Sequence, residues 1–137
     1  MIGEIKELNL PSLLDSVDQA ASEAENFARQ NGFDDSALSA IDMAMREAVA
    51  NAVKHGNKLD ETKRVEIVFV NLQKGLEITI RDFGKGFDVD EVPDPTNPEN
   101  LLKANGRGIL FMRAFMEEVE WSNHEKGGTV VKMCKLR

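Results

Sequence analysis

Glu47, Asn51 and His55 recur at intervals of four residues, a spacing that stacks side chains along one face of an α-helix. Glu47 is the one strong base on that face, and Asn51 offers a neutral oxygen that a hard cation such as Mg²⁺ accepts. A base one turn from a metal ligand suits phosphoryl transfer, where positioning and charge neutralisation dominate. A solvated polar stripe is the competing reading of the same residues.

A second group lies in Arg81-Asp82-Phe83-Gly84-Lys85-Gly86-Phe87. Asp82 ends a segment whose alternation predicts a buried strand, so its carboxylate is placed to accept a hydrogen bond from an exocyclic amine such as that of adenine. Gly84 and Gly86 let the backbone turn sharply and let a ligand ring come close. A plain turn with a helpful Asp is the alternative. Asp82-Phe83-Gly84 also imitates the metal-binding tripeptide of eukaryotic-type protein kinases, but the chain lacks their His-Arg-Asp loop and N-terminal Gly-rich loop and is far too short.

Gly106-Arg107-Gly108 precedes a helical pattern. A helix N-terminus offers unpaired N–H groups and a dipole suited to phosphate, and Arg107 could reach a terminal phosphate. A hinge with an exposed Arg reads the same residues without a ligand. The hydroxyl of Thr129 could bond Asp82 or a base edge, or Thr129 could serve only as a strand former. His124 is read as a turn residue, and Cys134 and Trp121 as core or interface.

The elements that must position these groups are legible in order. Residues 2–10 read as a short strand. Ser12 and Asp15 fit a capping box ahead of a helix whose stripe is Val17, Ala20, Ala21, Ala24, Phe27 and Ala28, closed by Gly32. A second helix begins near Asp34 or Asp35, buries Leu38, Ile41, Met45, Ala48 and Ala52, and ends at Gly56. Residues 64–71 and the alternating Leu76, Ile78 and Ile80 predict a hairpin turning at Lys74-Gly75. Residues 87–105 show no period and hold three of the four prolines, as in a lid or binding loop. A third helix follows, then strands at 118–123 and 129–136 with a turn at Gly127-Gly128. The order β-α-α-β-β-lid-α-β-β predicts an α/β (α+β) two-layer sandwich, its sheet largely antiparallel and its three helices on one face.

The chain has 137 residues, 24 acidic against 17 basic, a net charge of −7 and one cysteine. That length predicts a single domain over 1–137. The acidic balance argues against nucleic acid and anionic membrane surfaces as partners. A lone Cys134 excludes an internal disulfide and a Cys-rich zinc site. No signal peptide is recognisable, and the longest apolar runs, 67–70 and 109–112, have four residues where a membrane span needs about 20. A cytoplasmic protein is expected. Val68 and Val70 on the sheet face away from the helices leave a homodimer open.

Taken together, Glu47-x-x-x-Asn51, Asp82-x-Gly84-x-Gly86, Gly106-x-Gly108 and Thr129 resemble the N box, the two glycine boxes and the late-strand Thr of the GHKL ATPase superfamily. The resemblance spans nearly the whole chain. Residues 47–57 and 106–119 look typical of its anti-sigma-factor serine/threonine-protein kinase branch, of the sporulation and general-stress kind. This resemblance implies a Bergerat ATP-binding fold, a mixed, mostly antiparallel sheet with three helices and an ATP lid. It implies Glu47 as general base, Asn51 as Mg²⁺ ligand and Asp82 as adenine reader supported by Thr129. His55, Gly84, Gly86, Phe87, Gly106, Gly108 and Ile109 would line the ATP site, with Arg107 at the phosphates. It further implies partner switching: phosphorylation of a serine on a STAS-type antagonist, with a sigma factor as a second candidate partner. The alternatives are an ATP-gated binding protein without catalysis and a detached histidine-kinase catalytic domain.

Overall fold

Alternation of apolar and polar residues builds a five-stranded sheet, and 3.6-residue periodicity builds the helices that cover it. The computed structural model describes residues 2–85 and 108–137. In chain order these form β1 (Ile2–Pro11), α1 (Asp15–Gln30), α2 (Asp35–Asn51), a π-helical turn (Ala52–Gly56), β2 (Arg64–Leu72), β3 (Gly75–Arg81), α3 (Gly108–Phe115), β4 (Glu118–Asn123) and β5 (Thr129–Leu136). The expected lid, with Gly86, Phe87, Gly106 and Arg107, lies outside the described residues.

The strand order is β1-β2-β3-β5-β4. All four pairings among the described residues are antiparallel, in line with the mostly antiparallel sheet expected. β4 runs in the same sense as β3 but takes the edge, and β5 folds back between the two.

Cross-strand register explains the core. Ile67, Ile80, Val131 and Trp121 form one row across β2, β3, β5 and β4, and Phe69, Ile78, Met133 and Val119 form the next. All eight are buried. Above them lie Ala20, Ala21, Ala24, Phe27 and Ala28 of α1, and Leu38, Ile41, Met45, Ala48 and Val49 of α2, all buried. The Phe27 ring stacks on Phe69 with centroids 5.6 Å apart. The opposite sheet face carries Glu66, Val68, Val70 and Thr79, which are half-buried.

The start of α1 differs from expectation. Its N-cap is Leu14, with no side-chain cap, so the Ser12/Asp15 capping box does not form. Ser12 is instead buried. Its N–H donates to the Lys63 carbonyl at 3.1 Å and its Oγ accepts from Asn57 Nδ2 at 2.9 Å. Tertiary partners outcompete the local cap. By contrast, Asp34 caps α2 as read, accepting from the Ala37 N–H at 2.9 Å. Among the described residues, no helix is long and apolar enough to cross a membrane.

Candidate functional site

Glu47 and Asn51 stand one turn apart near the C-terminal end of α2, both half-buried. Neither side chain makes a hydrogen bond or ion pair among the described residues. The neighbouring Arg46 is engaged elsewhere, donating to Asp42 at 3.1 Å and to Asp18 at 2.5 Å. Among the described residues, the acceptor capacity of the Glu47 carboxylate is thus unspent, as a general base requires.

His55 does not continue the α-helical stack. The chain widens into a π turn over Ala52–Gly56, with the Asn57 N–H bonded to the Ala52 carbonyl at 2.8 Å, five residues back. The 3.6-residue period therefore stops short of His55, which is exposed. Wide turns of this kind recur at functional sites.

That turn brings Gly56 against Asp82, one residue beyond β3. A Cβ on Gly56 would lie 2.0 Å from Asp82 Oδ2, and one on Gly84 would lie 1.9 Å from the Gly56 carbonyl oxygen. Gly128, at φ 90°, has room for no side chain either, since a Cβ there would meet the Asp82 carbonyl oxygen at 1.9 Å. Only glycine fits this enclosure.

Asp82 is 5% exposed. Its Oδ1 accepts from the Gly84 N–H at 2.9 Å and the Thr129 N–H at 3.1 Å. Thr129 supports Asp82 through its backbone rather than through the hydroxyl anticipated from sequence, and its carbonyl also accepts from the Asp82 N–H at 3.0 Å. Burial pushes the Asp82 carboxyl above the ordinary carboxylate range, against the opposing pull of those N–H bonds and of Lys63 and Arg81.

Oδ2 accepts no hydrogen bond among the described residues. A carboxylate with one oxygen held by backbone N–H groups and the other bonded to none of the described residues can receive an N–H donor from a ligand.

Sequence reasoning passed over Asn57. It is fully buried. Its Oδ1 accepts from the Phe83 N–H at 2.8 Å, and its Nδ2 donates to Ser12 Oγ at 2.9 Å and to the Arg64 carbonyl at 3.0 Å. An Asn after a helix-ending Gly reads as a turn residue, and nothing in its spacing signals these long-range partners. Beside it, Arg81 lies 4.1 Å over the Phe83 ring and donates to the Gly127 carbonyl, tying the β4–β5 turn to the Asp82 segment.

Of the remaining predicted residues, Gly108 and Ile109 open α3, and the Ile109 side chain lies outside the described residues. Among the described residues, no cluster of three or more His, Cys, Asp or Glu side chains could hold a metal. A hard cation would rely on Asn51 and on oxygens brought by a ligand. Mg²⁺ accepts such sparse protein ligation when substrate phosphates complete its shell, so the residues present fit it.

The sequence profile of the histidine kinase-like ATPase domain matches residues 10–135. The chain belongs to that family. It is 27% identical over 135 residues to the serine-protein kinase RsbW of Oceanobacillus iheyensis, covering 94% of this chain and 84% of the relative. It is 36% identical over 102 residues to the anti-sigma F factor of Bacillus cytotoxicus, covering 72% and 68%. Among solved structures, it resembles the RsbU and RsbW domains of a Mycobacterium tuberculosis protein, with a TM-score of 0.66, 18% identity, and coverage of 98% of this chain and 32% of that one. The catalytic domain of the histidine kinase ThkA aligns over 98% and 97% with a TM-score of 0.60 at 14% identity. These two likenesses establish the shared fold.

Proposed function

We propose that this protein is an ATP-dependent serine protein kinase of the anti-sigma type, acting by partner switching. The observation that carries this reading is the half-buried Glu47 carboxylate, without a hydrogen bond or ion pair among the described residues, one turn before Asn51 on the helix whose extension abuts Asp82. A protein that only bound ATP would have no use for a free base at that position. The names of the relatives, a serine-protein kinase and an anti-sigma F factor, support the same reading.

In this reading ATP is the substrate. Its adenine amine donates to Oδ2 of Asp82, while the Gly84 and Thr129 N–H groups hold Oδ1. Asn51 presents its amide oxygen to Mg²⁺, which when bound neutralises charge on the phosphates. Glu47 accepts the proton of an incoming serine hydroxyl. The serine oxygen forms a bond to the γ-phosphorus, the bridging oxygen–γ-phosphorus bond breaks, and ADP leaves with that electron pair. Gly86, Phe87, Gly106, Arg107, Gly108 and Ile109 are proposed to line the ATP site, with Arg107 adding positive charge at the phosphates. The acceptor is a serine on a STAS-type antagonist, and a sigma factor is the partner thereby retained or released. The setting is the cytoplasm.

The test uses γ-labelled ATP and Mg²⁺ in a lysate of the source organism, beside Glu47→Gln. One acid-stable labelled band with the native protein and none with the variant is expected, because phosphoserine survives acid whereas phosphohistidine does not. No band in a sample shown to bind ATP and to contain unphosphorylated antagonist favours an ATP-gated binding protein and overturns the kinase.

A further inference from the structure

We infer that Asn57 is the positioning residue that makes Asp82 selective for adenine, by locking the end of the base-bearing helix to the end of β3. The inference rests on the proposed reading of Asp82 as the adenine acceptor and adds the residue that sets its geometry.

Asn57 is the chain neighbour of Gly56, and it bonds the N–H of Phe83, which sits between Asp82 and Gly84. Both surfaces that enclose the Asp82 carboxylate are therefore referenced to one buried amide. Gly56 walls Oδ2, and Gly84 supplies an N–H to Oδ1 while packing on the Gly56 carbonyl. The other end of the amide is anchored to the β1–α1 junction at Ser12 and to the start of β2 at Arg64. Three of the amide's four hydrogen-bonding capacities are used.

Backbone strain points the same way. Lys58 and Leu59, directly after Asn57, both have positive φ, 53° and 61°, a conformation that ordinary side chains avoid. Two such residues in succession persist only where their surroundings over-determine them, and such strain collects at functional sites. Here it accompanies the bonds of Leu59 N–H to the Val53 carbonyl at 2.8 Å and Asp60 N–H to the Asn57 carbonyl at 3.0 Å.

A residue that merely stabilised the fold would lower stability without altering which base is read. Guanine presents an oxygen where adenine presents an amine, so discrimination depends on where Oδ2 stands. Three proteins separate the roles: wild type, Asn57→Ala, and Ser12→Ala, which removes one Asn57 bond without touching Phe83. Each is titrated with ATP and with GTP in Mg²⁺, below its own melting transition.

Asn57→Ala is expected to cut the preference for ATP over GTP about tenfold, the scale of one well-made hydrogen bond, through weaker ATP binding. Ser12→Ala is expected to melt earlier with its preference intact. An Asn57→Ala protein with unchanged preference, or an equal loss in Ser12→Ala, overturns the assignment. Should Asn57→Ala not fold, Asn57→Asp, which keeps the acceptor toward Phe83, is expected to retain the preference, and its loss there overturns the inference. Equal binding of ATP and GTP by wild type sinks the adenine reading itself, a result distinct from the others.

Discussion

Gly56 and Asp82 stand so close that a single methyl group on Gly56 would fall 2.0 Å from the Asp82 carboxylate oxygen Oδ2. One belongs to the turn that ends the helix of Glu47 and Asn51, and the other follows β3. The contact therefore joins the proposed catalytic and base-reading halves of the site. Gly56 does not have positive φ, so alanine meets no backbone strain there and the substitution tests the contact alone. Gly56→Ala is expected to cost about 1–3 kcal/mol, the usual range for overpacking, and to weaken ATP because Asp82 must move. Chemical denaturation and an ATP titration read the two effects. Wild-type ATP affinity in the variant would show that the carboxylate's place does not matter.

Asp82→Asn separates stability from binding. The amide oxygen keeps the bonds from the Gly84 and Thr129 N–H groups, while the nitrogen replaces Oδ2. Burial raises the Asp82 carboxyl above its unfolded value, so the fold favours the protonated form. That stabilising influence is present at low pH and is lost as pH rises through the raised folded value. At neutral pH the ionised carboxylate is a net cost, so the variant is expected to be at least as stable as wild type there, with the gap shrinking on acidification. ATP affinity is expected to fall about 10- to 100-fold, as for a lost hydrogen bond to a charged group, with GTP little changed. Thermal melts across pH and paired nucleotide titrations check this.

The same raised carboxyl dictates how binding depends on pH. Only the ionised form leaves Oδ2 free to accept the adenine amine without competition from its own proton. ATP affinity is expected to drop on acidification, beginning above the pH at which an ordinary Asp protonates. Asp82→Asn should lack this step. Calorimetric titrations of both proteins from neutral pH downward decide it, and an identical acid limb in the variant assigns the step to another group.

What was legible in sequence is what local pattern records. Of the stripe read for α1, Ala20, Ala21, Ala24, Phe27 and Ala28 are buried and Val17 is half-buried, and residues 64–71 form the strand read there, with Val65, Ile67 and Phe69 inward, because periodicity is the imprint of one face meeting a core. That Asp82 closes a buried strand ahead of a glycine turn was legible from the alternation of Leu76, Ile78 and Ile80. The π turn, the absent cap at Ser12 and the role of Asn57 were not. The last two depend on distant partners, Phe83 for Asn57 and both Asn57 and Lys63 for Ser12, which no local window contains. Thr129 shows a third kind of miss. Its position beside Asp82 was readable, but that its backbone would do the bonding was decided by the β3–β5 register.

Glu47→Gln tests the chemistry with the least disturbance to the fold. Glu47 is half-buried and its side chain has no hydrogen bond or ion pair among the described residues, so the isosteric amide breaks no polar contact there. Stability and ATP affinity are expected to stay within about 0.5 kcal/mol of wild type, as for a surface change away from any network. Glutamine cannot take a proton from serine, and losing a general base costs about 10²- to 10⁴-fold in rate. Single-turnover transfer to a serine acceptor, measured with nucleotide saturating, isolates that step. A variant that transfers phosphate at the wild-type rate removes Glu47 as the base, and one that fails to bind ATP assigns it to binding instead.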